Sequence, residues 1–181
     1  MKKFLTLFAL AAVAACIFPS CKSNGAGSAS GSDSTAAVMK KNVQTALAAD
    51  SVLTHHDIDG YFKLCAADFT EYGSPGDKPE KNVDSMKSEM KTFFGAYPDF
   101  KGEGLTAYAS NDGVLVTGTF SGTFTKPYLK MAPTNKGFKV FDGDIYTFDK
   151  DGKITSHKSI VPASIFMNQA GVVIPEKKDK K

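Results

Sequence analysis

Apolar positions recur with two different periods along this chain, and the change of period divides it. Met39, Val43, Ala46 and Leu47 follow the i, i+4, i+7, i+8 spacing of one helix face and predict an amphipathic helix over about 36–53. Ile58, Tyr61, Phe62 and Cys65 repeat that stripe from Asp57 onward and predict a second, short helix. Cys65 falls on its apolar side, which describes a packed, inert thiol rather than a nucleophile. Phe69 to Tyr72 reads as a brief strand, and Gly73-Ser74-Pro75-Gly76 as a loop. Asn82 is placed to cap a third helix with Val83, Met86, Met90, Phe93, Phe94 and Tyr97 on one face, ended by Gly95 and Pro98.

Beyond Pro98 the period falls to two. Strands are expected near 100–109, 113–125, 138–149 and 153–161, with Asn111-Asp112-Gly113 and Asp149-Lys150-Asp151-Gly152 as hairpin turns and a short helix from Ala163 to Asn168. Helices followed by an antiparallel meander describe an α+β domain, its N-terminal helices packed on one face of a curved sheet. No internal repeat interrupts it.

The first 35 residues follow neither pattern. Lys2 and Lys3 precede an uncharged, almost wholly apolar run from Phe4 to Ala15, suited to a signal peptide and short of the ~20 residues a membrane-spanning helix needs. That run ends in Val13-Ala14-Ala15-Cys16, which resembles the lipobox of bacterial lipoproteins. Cys16 is therefore the expected lipidation site, with Cys21, after Phe18-Pro19-Ser20, as the alternative. After Lys22, residues 23–35 are Gly, Ser, Ala and small polar residues, so the 22–35 stretch has no large apolar side chain to offset ordering entropy and reads as a tether. The expected organisation is a signal and lipobox region at 1–21, a linker at 22–35, one domain at 36–171 and a basic tail at 172–181. A lipid-anchored domain in the cell envelope, outside the cytoplasm, is the location this implies.

Composition narrows the chemistry. The chain has 181 residues, 42% of them hydrophobic, enough for one domain with a genuine core. A formal net charge of +3 carries no strong bias, and the one concentrated basic run, Lys177, Lys178, Lys180 and Lys181, reads as a solvated tail. No basic face is interleaved with aromatics, so nucleic acid is not an expected partner. Cys16, Cys21 and Cys65 form no CxxC pair, and His55, His56 and His157 lack zinc-ligand spacing; neither a metal, a cofactor nor a disulfide framework is indicated. His55 and His56 read as a solvated loop pair.

Several short motifs, in order, resemble one family. Asp57-Ile58-Asp59 leading to Asp68-Phe69, then Phe94 with Tyr97-Pro98-Asp99, Thr117-Gly118-Thr119 with Gly122, Met131-Ala132-Pro133-Thr134, Asp144 to Phe148, Asp151-Gly152-Lys153-Ile154, and finally Gln169 and Gly171 resemble the SnoaL-like polyketide cyclases, or ester cyclases, of the nuclear transport factor 2-like superfamily. The resemblance spans roughly 36–171 and implies a cone with a pocket inside. It also implies ring closure by aldol chemistry, in which a carboxylate moves a proton beside a carbonyl and imidazoles assist. At the positions matching those groups this chain has Tyr72, Phe120 and Pro162. Phe and Pro cannot transfer protons, and a tyrosine titrating near ~10 is a poor base at neutral pH.

Alternation along strands supplies the expected lining. With Phe120 inward, Val116 joins it; Asp144 and Tyr146 share a face on the next strand; Ile154, Ser156, Lys158 and Ile160 follow on the last, leaving His157 outward. Tyr72, Phe94, Phe100, Val116, Phe120, Asp144, Tyr146 and Lys158 thus make up the expected ligand pocket. Asp144, Tyr72 and Lys158 are its weak candidates for chemistry. An inward Lys158 needs a partner, and Asp144 is the obvious one; the alternative is a lysine that snorkels to the rim. The reading that follows is an envelope lipoprotein binding a small apolar or carbonyl-containing molecule without cyclase chemistry. Two others stand beside it: an isomerase, cyclase or lyase with relocated acid/base residues, and an interaction module that dimerises through the open sheet face. Thr117, Thr119 and Thr155 on that face argue against a large interface there.

Overall fold

A computed structural model describes residues 30–172, with side chains from 34 onward; the lipobox, the first part of the linker and most of the basic tail lie outside the described residues. The elements run α1 (Ser30–Thr54), α2 (Ile58–Leu64), β1 (Cys65–Glu71), α3 (Val83–Ala96), β2 (Lys101–Ala109), β3 (Val114–Thr123), β4 (Gly137–Phe148), β5 (Ile154–Ser159) and α4 (Ala163–Gln169). Helix α1 thus begins six residues before the expected 36, within the stretch read as linker.

The end signals in the sequence do what their chemistry suggests. Asp57 caps α2 by accepting from Gly60 N at 2.8 Å, and Asn82 caps α3 by accepting from Ser85 N at 3.0 Å. In the β4–β5 turn Asp149 Oδ1 accepts from Asp151 N and Lys153 N at 2.8 and 2.9 Å, while Gly152 takes φ +72°. At the β2–β3 turn a Cβ on Gly113 would lie 2.3 Å from the Tyr146 carbonyl oxygen, so only glycine fits.

Five strands form one sheet in the order β1-β5-β4-β3-β2. β2 to β5 are the expected antiparallel meander. β1 adds itself to β5 in parallel, so the sheet is mixed rather than wholly antiparallel. α1 lays Ala46 and Ala49, both fully buried, on Val114, Val116 and Tyr146; Tyr61, Phe69, Met86 and Ile154 complete this core. A second core of Ala96, Tyr97, Phe124, Tyr128, Phe138, Met167 and Ala170 fills the other end of the sheet. Cys65 sits at the junction of α2 and β1, and burial pushes its thiol up to about 12, the inert state expected of it.

The decisive departure from simple alternation lies in β5. Phe148 pairs with Ile154, but Thr147 pairs with Ser156, so Thr155 is an extra residue in the ladder. Thr147 Oγ1 is accordingly within hydrogen-bond reach of both Thr155 Oγ1 (2.8 Å) and Ser156 Oγ (2.6 Å). One inserted residue inverts every side chain that follows it. Ile154 faces the interior as expected, whereas beyond the bulge His157 and Ser159 face inward. Lys158, opposite Ile145, is exposed on the outer face. The expected inward Lys158 and outward His157 are both corrected by this bulge.

Candidate functional site

Between the concave side of the sheet and α1, α3 and α4 lies a cavity of about 240 Å³. Phe93, Phe100, Phe120, Phe138, Val140 and Phe166 form apolar walls, and Leu53 reaches in from α1. The polar groups, Asp50, Ser74, Asp142, Asp144, Tyr146, His157 and Ser159, come from α1, the loop after β1 and the paired strands β4 and β5. A wider hollow of about 640 Å³ adjoins it, sharing Leu53, Phe93, Phe100, His157 and Phe166, and is lined further by Phe94, Tyr128, Leu129, Met131 and Met167. The phenylalanines brace one another: Phe100 stacks on Phe120 at 6.1 Å, and Phe93 meets Phe100 edge-on at 5.3 Å.

His157 is the centre of the polar group. Its Nδ1 lies 2.8 and 2.9 Å from the two oxygens of Glu71 on β1, and its Nε2 lies 3.0 Å from Asp144 Oδ1 on β4. The parallel register that sets Glu71 beside His157 produces the first contact, and the bulge produces the second. Side-chain exposures of 15% for His157, 13% for Asp144 and 23% for Glu71 place the triad well out of bulk water. Burial by itself would strip the imidazole of its charge. Glu71 and Asp144 outweigh that and hold it protonated, well above the ordinary histidine range.

Asp50 is the second unusual group. It occupies the buried stripe of α1, one turn beyond Ala46, and is 2% exposed. Tyr146 donates its hydroxyl hydrogen to Asp50 Oδ1, while Asp50 Oδ2 is buried with no hydrogen-bond partner among the described residues. Burial, and then the neighbouring Asp144 charge, push this carboxyl up to about 7; the Tyr146 hydrogen bond and His157 pull the other way and lose. Asp142 is also raised by burial, though Ser159 Oγ (2.8 Å), Gly143 N (2.6 Å) and Val161 N (3.1 Å) all donate to it. An apolar cavity with a carboxyl titrating near neutrality can take up and release a proton on a bound molecule.

The expected pocket residues divide. Phe100, Phe120, Asp144 and Tyr146 line the inner cavity, and Phe94 lines the outer hollow. Val116 faces inward but is fully buried in the core under α1. Tyr72 is 45% exposed and lines neither hollow; its backbone N–H donates to the His157 carbonyl. Lys158 is outside altogether, so the partner of Asp144 is His157. Pro162 is an exposed residue at the start of α4. His56 is structural: it stacks on Phe94 at 4.4 Å, and its Nε2 lies 3.1 Å from the Phe100 carbonyl oxygen. Asp50 and Glu71 were not anticipated. Asp50 carries a signal in the sequence, an acid within the apolar stripe Val43, Ala46, Leu47, Leu53; Glu71 carries none. Among the described residues no cluster of His, Cys, Asp and Glu is arranged to hold a metal ion.

This architecture recurs in solved structures. AclR, a hydroxylase candidate from Streptomyces galilaeus, superposes with a TM-score of 0.63 at 21% identity over 77% of this chain and 87% of its own. A SnoaL-like polyketide cyclase candidate from Jannaschia sp. CCS1 gives 0.67 at 15% identity over 76% and 96%. A phenazine biosynthesis-related protein from Pseudomonas aeruginosa gives 0.64 at 12% identity over 83% and 97%. At these identities the likeness is one of fold. No curated protein matches the sequence. The sequence model of the SnoaL-like polyketide cyclases matches residues 41–170, which takes in every residue lining both hollows, and the chain belongs to that family.

Proposed function

We propose that this domain binds a small, largely apolar, carbonyl-containing molecule and moves a proton on it, as an isomerase, cyclase or lyase whose acid/base group is Asp50. One observation carries this: a carboxyl titrating at about 7 at the wall of an aromatic cavity, held through Oδ1 by Tyr146 and beside a histidine kept charged. A base works best when its pKa lies near the operating pH. Asp50 meets that condition, whereas Asp144 is engaged by His157 on one oxygen. Tyr146 orients Asp50, and the Glu71–His157–Asp144 triad sets the field around it. Ligand binding without chemistry is the simpler reading, but it leaves the cost of an unpartnered buried carboxyl oxygen without a use.

The proposal extends to place and assembly. The apolar run and Cys16 support a lipid-anchored domain in the cell envelope, and the outer sheet face, with Tyr108, Phe141 and Ile145 at 59%, 67% and 39% exposure, supports self-association through that face.

A surrogate reaction tests the chemistry without the natural substrate. In the Kemp elimination of 5-nitrobenzisoxazole a base removes the ring C–H proton while the N–O bond breaks, giving a cyanophenolate. The domain should accelerate it above buffer, with a rate rising through pH ~7 as Asp50 ionises, and Asp50→Asn should remove the acceleration. A rate equal to buffer, or one indifferent to Asp50→Asn, refutes the reading.

A further inference from the structure

The charges lining the two hollows are unbalanced. Asp50, Asp142 and Asp144 line the inner cavity, and Asp77 and Glu89 the outer one; His157 is the one basic side chain among the described residues lining either. The His157 charge is already matched, since Glu71 and Asp144 occupy its two ring nitrogens. Asp142 is also satisfied, by Ser159 and two backbone N–H groups. What remains is Asp50, 2% exposed, lining the cavity, with Oδ2 unpartnered. The same cavity is walled by rings whose faces attract cations, Phe100 contacting both Phe93 and Phe120. A carboxylate or phosphate would meet acids in both hollows, with no lysine among the residues lining them. A cation would meet complementary charge in both.

We infer that the molecule held in this site carries a basic nitrogen, protonated at neutral pH, on a flat apolar body, and that Asp50 is the group receiving the ammonium. This deepens the reading above, on which it rests for the choice of hollow, and binding alone tests it. The probes are 3-phenylpropylamine, 3-phenylpropan-1-ol and 3-phenylpropionate, matched in shape and differing in charge, titrated calorimetrically into the domain. At pH ~8 the amine should bind at least about tenfold more tightly than the alcohol, the scale of one charge-assisted hydrogen bond in a buried site, with the carboxylate weakest.

Asp50→Asn should erase the advantage of the amine over the alcohol. In the unaltered protein the advantage should shrink as pH falls from about 8 to about 5.5, because Asp50 takes up its proton in that interval. The groups facing Asp50 are Asp142, Asp144 and Tyr146 from β4, His157 from β5 and Tyr61 from α2. Of these His157 stays charged and the tyrosines neutral throughout that range. Should Asp50→Asn fail to fold, the pH series decides alone. Equal or tighter binding of the carboxylate, or an amine advantage independent of pH, overturns the inference. Kemp acceleration without amine preference would sink this inference and spare the proton-transfer reading; amine preference without acceleration would do the reverse.

Discussion

Replacing Asp50 by Asn should make the protein more stable at neutral pH, and the gain should vanish in acid. The unfolded chain ionises Asp50 at its ordinary value of 3.8, while the folded chain holds the proton until about 7. Below the unfolded value both states are protonated and Asp50 costs nothing. Between the two values the unfolded state alone releases its proton, so folding is progressively disfavoured as pH rises; above about 7 both are ionised and the penalty is constant. At 1.36 kcal/mol per pKa unit the penalty grows by about 3 kcal/mol between about pH 4.5 and pH 8.

Asn keeps the oxygen that accepts from Tyr146 but adds an amide whose hydrogens lack partners, a pH-independent cost of about 1–3 kcal/mol. The absolute gain near pH 8 is therefore small, whereas the change in gain with pH is not. Urea denaturation followed by far-ultraviolet circular dichroism, for both proteins across that range, measures the change directly; the ionisation of Asp142, and of His157 in the unfolded chain, is common to both proteins and largely cancels in the difference. Parallel stability curves, with a gain that does not grow by at least about 1 kcal/mol towards high pH, refute the burial argument for Asp50.

Two further outcomes are expected. His157→Leu removes the common partner of Glu71 and Asp144 and should cost about 3–5 kcal/mol near pH 7, as breaking a buried ion pair does; chemical denaturation checks it, and a loss under about 1 kcal/mol would deny the triad a structural role. Cys16→Ser should abolish incorporation of a radiolabelled fatty acid in cells, while Cys21→Ser should not. Retained label in the first variant transfers the anchor to Cys21, and no label in the unaltered protein removes it altogether.

Much of the architecture was legible from side-chain periodicity, because helix and strand spacings are local properties of the backbone. The two capped helices, the meander, both hairpin turns and the inward faces of β3 and β4 follow from residues such as Asn82, Gly113 and Asp149 acting on their immediate neighbours. The aromatic wall at Phe100 and Phe120 was legible for the same reason. The chemistry was not. Alternation carried along β5 from Ile154 selects Lys158, and nothing near Thr155 announces the extra residue that substitutes His157.

Glu71 joins the site through a parallel pairing between strands 86 positions apart in the chain. Asp50 joins it because α1 packs across the sheet and brings that turn over Tyr146. Local sequence thus determined which elements form and which faces they bury. Ladder register and helix docking, which depend on contacts between residues far apart in the chain, decided which ionisable groups meet in the cavity and what charge each one carries there.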